Sequence, residues 1–312
     1  MAVLRSKTFK TARNIFLFLL VISFLIFAIW WLWQRQPKPQ TAQRKQTSME
    51  QIKPSQNTGF VKNPKDSQVL TSGKIDILGK VDGETYIVIV SNTTSAMGKS
   101  AKDGEFKIPI ELSEGLNLLD IQVFDNKLSA QGAEQKTLFV TQKETLPQNW
   151  QVYAGSVKSI FDNLITLTSP TGEKSVKKET KTNLILPSPA LSKKPTPAPD
   201  ESIRIGDFAI ALGETKEEIL NAQDLEIIRE NKPQITKKVS VAKILTSIKK
   251  NSFSAKDNAS NKILDFTLDK NSKILKNEKD AKETEIVKDL SAIIVYQEKD
   301  EKRLVDLIYL LP

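Results

Sequence analysis

Three sets of side chains in this sequence have types and spacings that could do chemistry. Ser156 and Lys158 lie two residues apart, which on a strand places both on one face, as a Ser-Lys dyad needs and as any solvated pair shows. Asp207 and Asp289 each precede an apolar stretch and could each supply one carboxylate of a glycoside-cleaving pair; an Asp at a strand entry also satisfies backbone donors in a plain turn. Trp150, with Tyr153 three residues on, could stack on a sugar ring if exposed, or pack as a core strand residue at a domain junction. Asn92, Thr93 and Thr94 form a glycosylation sequon, a pattern that also arises by chance.

What is missing narrows the field further. The chain has no His and no Cys, which removes Ser-His-Asp and Cys-His catalysis, the usual zinc ligands, disulfides and a lipidated N-terminal cysteine. No Gly-rich phosphate loop, EF-hand pattern or paired metal-ligand spacing stands out. The sequence therefore predicts a non-catalytic protein with no cofactor, and with Trp150 and Tyr153 as the candidate ligand contacts.

The element that must position everything else is the run 15–33, IFLFLLVISFLIFAIWWLW, which holds no charge, Pro or Gly. As a helix it is about 28 Å long, close to the ~30 Å of a bilayer's hydrocarbon core. Arg5, Lys7, Lys10 and Arg13 precede it without an acidic residue, which favours a cytoplasmic N-terminus, and Trp30, Trp31 and Trp33 sit where indole rings favour the far headgroup level. A cleaved signal peptide has a shorter apolar core and a small-residue cleavage site, so a retained single-pass anchor is predicted, with the C-terminal bulk outside the cell membrane.

Charge is placed unevenly. Residues 1–67 carry 11 Lys and Arg against Glu50 and Asp66, so the formal net charge of +9 belongs to this segment and the remainder is neutral. A nucleic-acid domain carries its basic excess on its own folded face, so nucleic acid is not an expected partner. The lipid bilayer is, with anionic lipid or an acidic wall polymer as a further partner of the basic stalk 34–67; that stalk can equally be a solvated spacer.

From Val69 onward short β-branched runs alternate with turn signals at Asp82-Gly83, Asp103-Gly104 and Glu114-Gly115, the pattern of a β-sandwich. The order Ile77, Gly79, Val81, Asp82, Gly83, then Asp103 to Asn117 with Phe106, Ile108 and Ile110, then Ile121 to Asp125, resembles the bacterial immunoglobulin-like repeat of exported and surface proteins. That resemblance implies core positions for Phe106, Ile108 and Ile110, a turn cap at Asn117, and a spacer or adhesive module at 68–142.

Beyond Trp150 a pattern occurs twice. Residues 155–165 lie on 243–253 at an offset of 88, and 205–228 on 287–310 at an offset of 82, pairing Asp207 with Asp289 and Leu225 with Leu307. The Pro-rich stretch 186–200 absorbs the difference as a loop, with a domain linker as the alternative, since semi-extended polyproline conformations suit either role. With IGDFAIALG at 205–213 as the closest stretch, each copy resembles the small oligonucleotide/oligosaccharide-binding-like (OB-like) barrel of unknown function found in exported bacterial proteins. Residues 216–222 and 276–285 are expected as short solvated helices.

The fold expected is mainly β: a basic tail at 1–14, a single transmembrane helix at 15–33, a flexible stalk at 34–67, an Ig-like sandwich at 68–142, and two β-barrel-like domains at 150–232 and 238–312. The function expected is binding, adhesion or spacing in a bacterial cell envelope, with envelope proteins or glycan as partners. The alternatives are a membrane-tethered wall hydrolase and a structural subunit of an envelope secretion or division complex.

Overall fold

The computed structural model describes residues 59–143, 145–147, 149–187 and 202–311. The run 15–33, its basic flank and its tryptophans, most of the stalk and most of the Pro-rich stretch lie outside these residues. Among the described residues no helix is long and apolar enough to cross a membrane. They are built mainly from β-strands.

The first eight strands are β1 (Val61–Asn63), β2 (Gln68–Leu70), β3 (Lys74–Lys80), β4 (Tyr86–Ser91), β5 (Ser95–Lys99), β6 (Glu105–Glu111), β7 (Gly115–Phe124) and β8 (Ala130–Val140). Strands β1, β3 and β6 form one sheet, and β2, β8, β7, β4 and β5 belong to a second. Between them Ile77, Phe106, Ile108 and Ile110 pack against Ile87, Ile89, Leu119, Ile121 and Leu138. Strand β6 alternates strictly between exposed and buried residues, as a strand with one wet face should.

The next five strands are β9 (Trp150–Phe161), β10 (Leu164–Ser169), β11 (Gly172–Ile185), β12 (Phe208–Lys216) and β13 (Ile219–Ile228). Their pairings return to their start: β9 to β10 to β11 antiparallel, β11 to β13 parallel, β13 to β12 to β9 antiparallel. This is the first ring. Strands β14 (Lys237–Ile244), β15 (Ser252–Asp257), β16 (Ile263–Lys276), β18 (Ser291–Lys299) and β19 (Lys302–Leu310) close a second ring by the same circuit, with β17 (Lys279–Asp280) folded back on the end of β16. Closure leaves no long unpaired edge in either ring.

Strand register sharpens the relation between the copies. Bulges at Leu212/Gly213 and at Val295/Tyr296, and turns at Glu217-Glu218 and Asp300-Glu301, coincide only at an offset of 83, not 82. Because side chains alternate, the one-residue slip exchanges inside for outside. Leu225 thus corresponds to Ile308, both in ring interiors, whereas Leu307 points out of its ring. Asp289 stands where Gly206 stands, and both take a left-handed backbone (φ 73° and 91°), so Asp207 has no aspartate counterpart. For β9 and β14 the offset is 87, as shown by the matched pairs Ala209 with Gly155 and Ala292 with Ala242.

Both rings dock on the two-sheet unit with the same outward face. In the second ring Ile293, Val295, Leu307 and Tyr309 pack on Tyr86, Val88, Val90, Met97 and Phe124, so β4 is buried along its whole length. The corresponding Ile210 and Leu212 of the first ring, with Val152 and Ala154, meet Val69, Leu116 and Phe139. Polar ties fix each junction. The Lys237 side chain is 7% exposed and its ammonium donates to the Thr93 carbonyl and to Asp306, while Asp66 accepts from the Thr137 amide, the Thr171 hydroxyl and Lys174.

Three further expectations are corrected. Residues 216–222 are a β12–β13 hairpin and 276–285 a β16–β17 hairpin with a single 3-10 turn at Glu283–Glu285, since ladder pairing overrides the local helix preference of these charged residues. Among the described residues the first strand is β1, ahead of the boundary expected near residue 68. That strand needs only Val61 as an apolar anchor, because its Val61 amide donates to Glu134 and its backbone pairs with β3. Finally, β2 and β5 are too short or too polar to have shown a periodic signal.

Candidate functional site

An open cleft of about 490 Å³ lies where the first ring meets the two-sheet unit. Val69 from β2, Phe139 and Val140 from β8, Trp150 from β9 and Leu212 from β12 give it an apolar wall. Around them stand Glu114 from the β6–β7 turn, Lys143 after β8 and Asp224 from β13. The volume falls within the ~300–1,000 Å³ of small-ligand sites, which combine apolar walls with a few placed polar groups.

Each wall is in place for a local reason. The β6–β7 turn turns sharply at Gly115 (φ 89°), and the buried Asn117 side chain staples it by accepting from the Ser113 amide and donating to the Ser113 and Gly115 carbonyls. Trp150 opens β9 opposite Glu214 and Gln151 pairs with Gly213, which aims the indole outward from the ring beside Leu212. At Gly213 a side chain's Cβ would fall 2.0 Å from the Asn221 carbonyl oxygen, so this bulge admits only glycine without a backbone shift. The Lys143 ammonium lies 4.7 Å from the centroid of the Trp150 ring, a cation–π contact.

Charge in the cleft is unbalanced. Glu114 accepts from the Gln142 amide at 2.7 Å and Asp224 from the Asn183 amide at 3.0 Å. Among the described residues neither carboxylate has an ion-pair partner.

Trp150 and Tyr153 do not form one platform. Three residues apart on a strand they face opposite ways: Tyr153 lies inside the first ring beneath Lys174, whose ammonium is 5.1 Å from its ring, while Trp150 lines the cleft. The Lys158 ammonium is ion-paired with the Glu173 carboxylate, and among the described residues it makes no hydrogen bond to the Ser156 hydroxyl. Asp207 is buried and accepts from the Arg204 amide and from Arg229, which ties the loop before β12 to the end of β13. Asp289 is exposed and paired with Lys243 at 3.0 Å; that bond, with the lysine's charge, holds its carboxyl below the usual range. The side chain of Asn92 is engaged at both ends, accepting from the Leu118 amide and donating to the Leu116 carbonyl. Among the described residues no group of three or more His, Cys, Asp or Glu is arranged to hold a metal ion.

No family model matches the chain, and no curated protein does. Among solved structures, one bearing on host cell surface retention of a 1.5-MDa bacterial ice-binding adhesin is 10% identical and covers 78% of this chain and 92% of its own, with a TM-score of 0.19. A second, a Ca²⁺-stabilized adhesin that helps an Antarctic bacterium reach out and bind ice, is 8% identical and covers 80% of this chain and 72% of its own, with a TM-score of 0.20. Scores at this level carry no argument for this chain.

Glu114, Phe139, Lys143 and Asp224 were not singled out by sequence reasoning, because they come from separate elements and carry no spacing pattern. Asp224 alone leaves a trace. At the offset of 83 it stands opposite Leu307, a carboxylate where the other copy has a buried leucine.

Proposed function

We propose that this chain is a membrane-anchored, extracytoplasmic binding or spacer protein of a bacterial cell envelope. In this reading the run 15–33 is the retained anchor, with Arg5, Lys7, Lys10 and Arg13 inside and Trp30, Trp31 and Trp33 at the outer interface. The stalk then lifts the folded part off the bilayer and holds anionic lipid or wall polymer by its positive charge. The two-sheet unit is read as Ig-like and the two closed rings as OB-like barrels. No step of catalysis is assigned to it.

The observation that carries the proposal is the way three β units are joined. A ten-stranded sheet runs from the two-sheet unit into the first ring, and an apolar interface seats the second ring. Units packed so closely move together, which suits a tethered body that presents surfaces at a fixed separation, where confinement raises the effective concentration of weak contacts.

Protease added to intact cells is expected to remove the folded bulk and leave a short membrane-protected peptide. Detergent-solubilised full chain is expected to be retained on an envelope fraction. Protection of the bulk until lysis would overturn the topology, and failure to bind any envelope component would leave spacing alone.

A further inference from the structure

From the Trp150 cleft we infer a site for an organic ammonium, of which the lysine side chain of a partner peptide is the simplest source. The inference rests on the binding role proposed above and names the chemistry of the guest.

Comparison of the two rings at their shared docking face shows why the cleft exists. In the second ring Leu307 is buried in the junction with the two-sheet unit, and the seam there is closed by apolar contacts. In the first ring the same position is Asp224, and the seam stands open. A carboxylate could not be desolvated in a closed apolar seam without a partner, so its presence keeps the gap wet and accessible.

The cleft already displays the recognition it would offer. Lys143, an exposed side chain, places its ammonium over the Trp150 ring at 4.7 Å. Its own positive charge is one against two, for Glu114 and Asp224 both line the cleft and neither is ion-paired among the described residues. A guest ammonium that displaced Lys143 would meet an indole face and two carboxylates with free lone pairs, while Phe139 and Leu212 took up its alkyl stem. Lys143 is thus a tethered stand-in that competes with the guest.

Titration calorimetry on the full chain in neutral detergent micelles tests this, with N-acetyl-lysine methylamide as the probe. Its uncharged norleucine analogue and a short chito-oligosaccharide serve as controls. Removing the competitor with Lys143→Ala is expected to tighten probe binding by about tenfold. Asp224→Leu, which restores the residue of the closed seam, and Glu114→Gln are each expected to weaken it by a similar factor, and Trp150→Ala to abolish it. Asp224→Leu removes a charge without opening a cavity, so the test does not depend on whether Trp150→Ala folds. Equal binding of lysine and norleucine probes to Lys143→Ala, or binding of the oligosaccharide alone, overturns the inference. Envelope retention of the wild type without ammonium binding would sink this inference and spare the binding role. Ammonium binding without envelope retention would do the reverse.

Discussion

Asp120 sits half-buried on β7, and its environment is mismatched to a charge. Burial pushes its carboxyl above the ordinary range, and the hydrogen bond from the Gln122 amide at 2.7 Å only partly opposes this. A folded-state value above the unfolded one means that the native chain holds the proton to higher pH. Asp120 therefore favours folding most at acid pH, and that contribution is lost as pH rises through the raised value. Asp120→Asn is expected to raise the urea midpoint at neutral pH and to change it little in mild acid. A midpoint that falls at neutral pH would show that the charge is matched after all. None of this was legible in the sequence, where Asp120 is one charge in a strand. What the sequence did carry at this scale was Trp150 as a junction residue; its three-residue spacing from Tyr153 already implied opposite faces on a strand.

Among the elements, the two-residue hairpins are the least comfortable. Glu217-Glu218 and Asp300-Glu301 adopt left-handed backbones at both positions, with φ between 48° and 65°, where Asn-Gly is the favoured pair. Replacing Glu217-Glu218 by Asn-Gly is expected to stabilise the chain by about 0.5–1 kcal/mol, read from chemical denaturation, with ring closure unchanged. No gain would mean that the strand ends, rather than the turn residues, set the geometry. These turns also explain why sequence reading failed locally. Lys216, Glu217, Glu218 and Leu220 are residues that favour helix, and no Gly, Asn or Pro stands at the Glu217-Glu218 reversal. Strands β3, β4, β6 and β7 were legible because their β-branched runs are bounded by Asp-Gly and Glu-Gly turns; β1 and β5 carry too few apolar residues to be seen.

At the scale of the whole molecule the informative contrast is between two leucines of the same ring strand. Ile308 and Leu310 fill the second ring, whereas Leu307 lies on its outer face in the seam against Val88 and Val90. Leu307→Ala is expected to cost about 2–4 kcal/mol through the cavity it leaves. It should also speed amide exchange in β4 and β5 more than in β15 and β16, because the seam loosens while the ring stays closed. Uniform acceleration across the second ring would place its folding, not its docking, under Leu307's control. The sequence displayed this doubly covered strand openly, as the unbroken run TYIVIV at 85–90, yet the identity of the second cover depended on a register that a one-residue error conceals.

The short strand β2 joins the two-sheet unit to the first ring, lying parallel to β8 on one side and bonded to β9 through Gln68 and Gln151 on the other. Strand β1 lies ahead of it and is held by its pairing with β3 and by the Val61 amide's bond to Glu134, so a pull arriving from the N-terminal side meets β1 before it reaches β2. The cleft wall that Val69 supplies is thereby buffered from the tether, and a guest held there would feel the load only after β1 had let go.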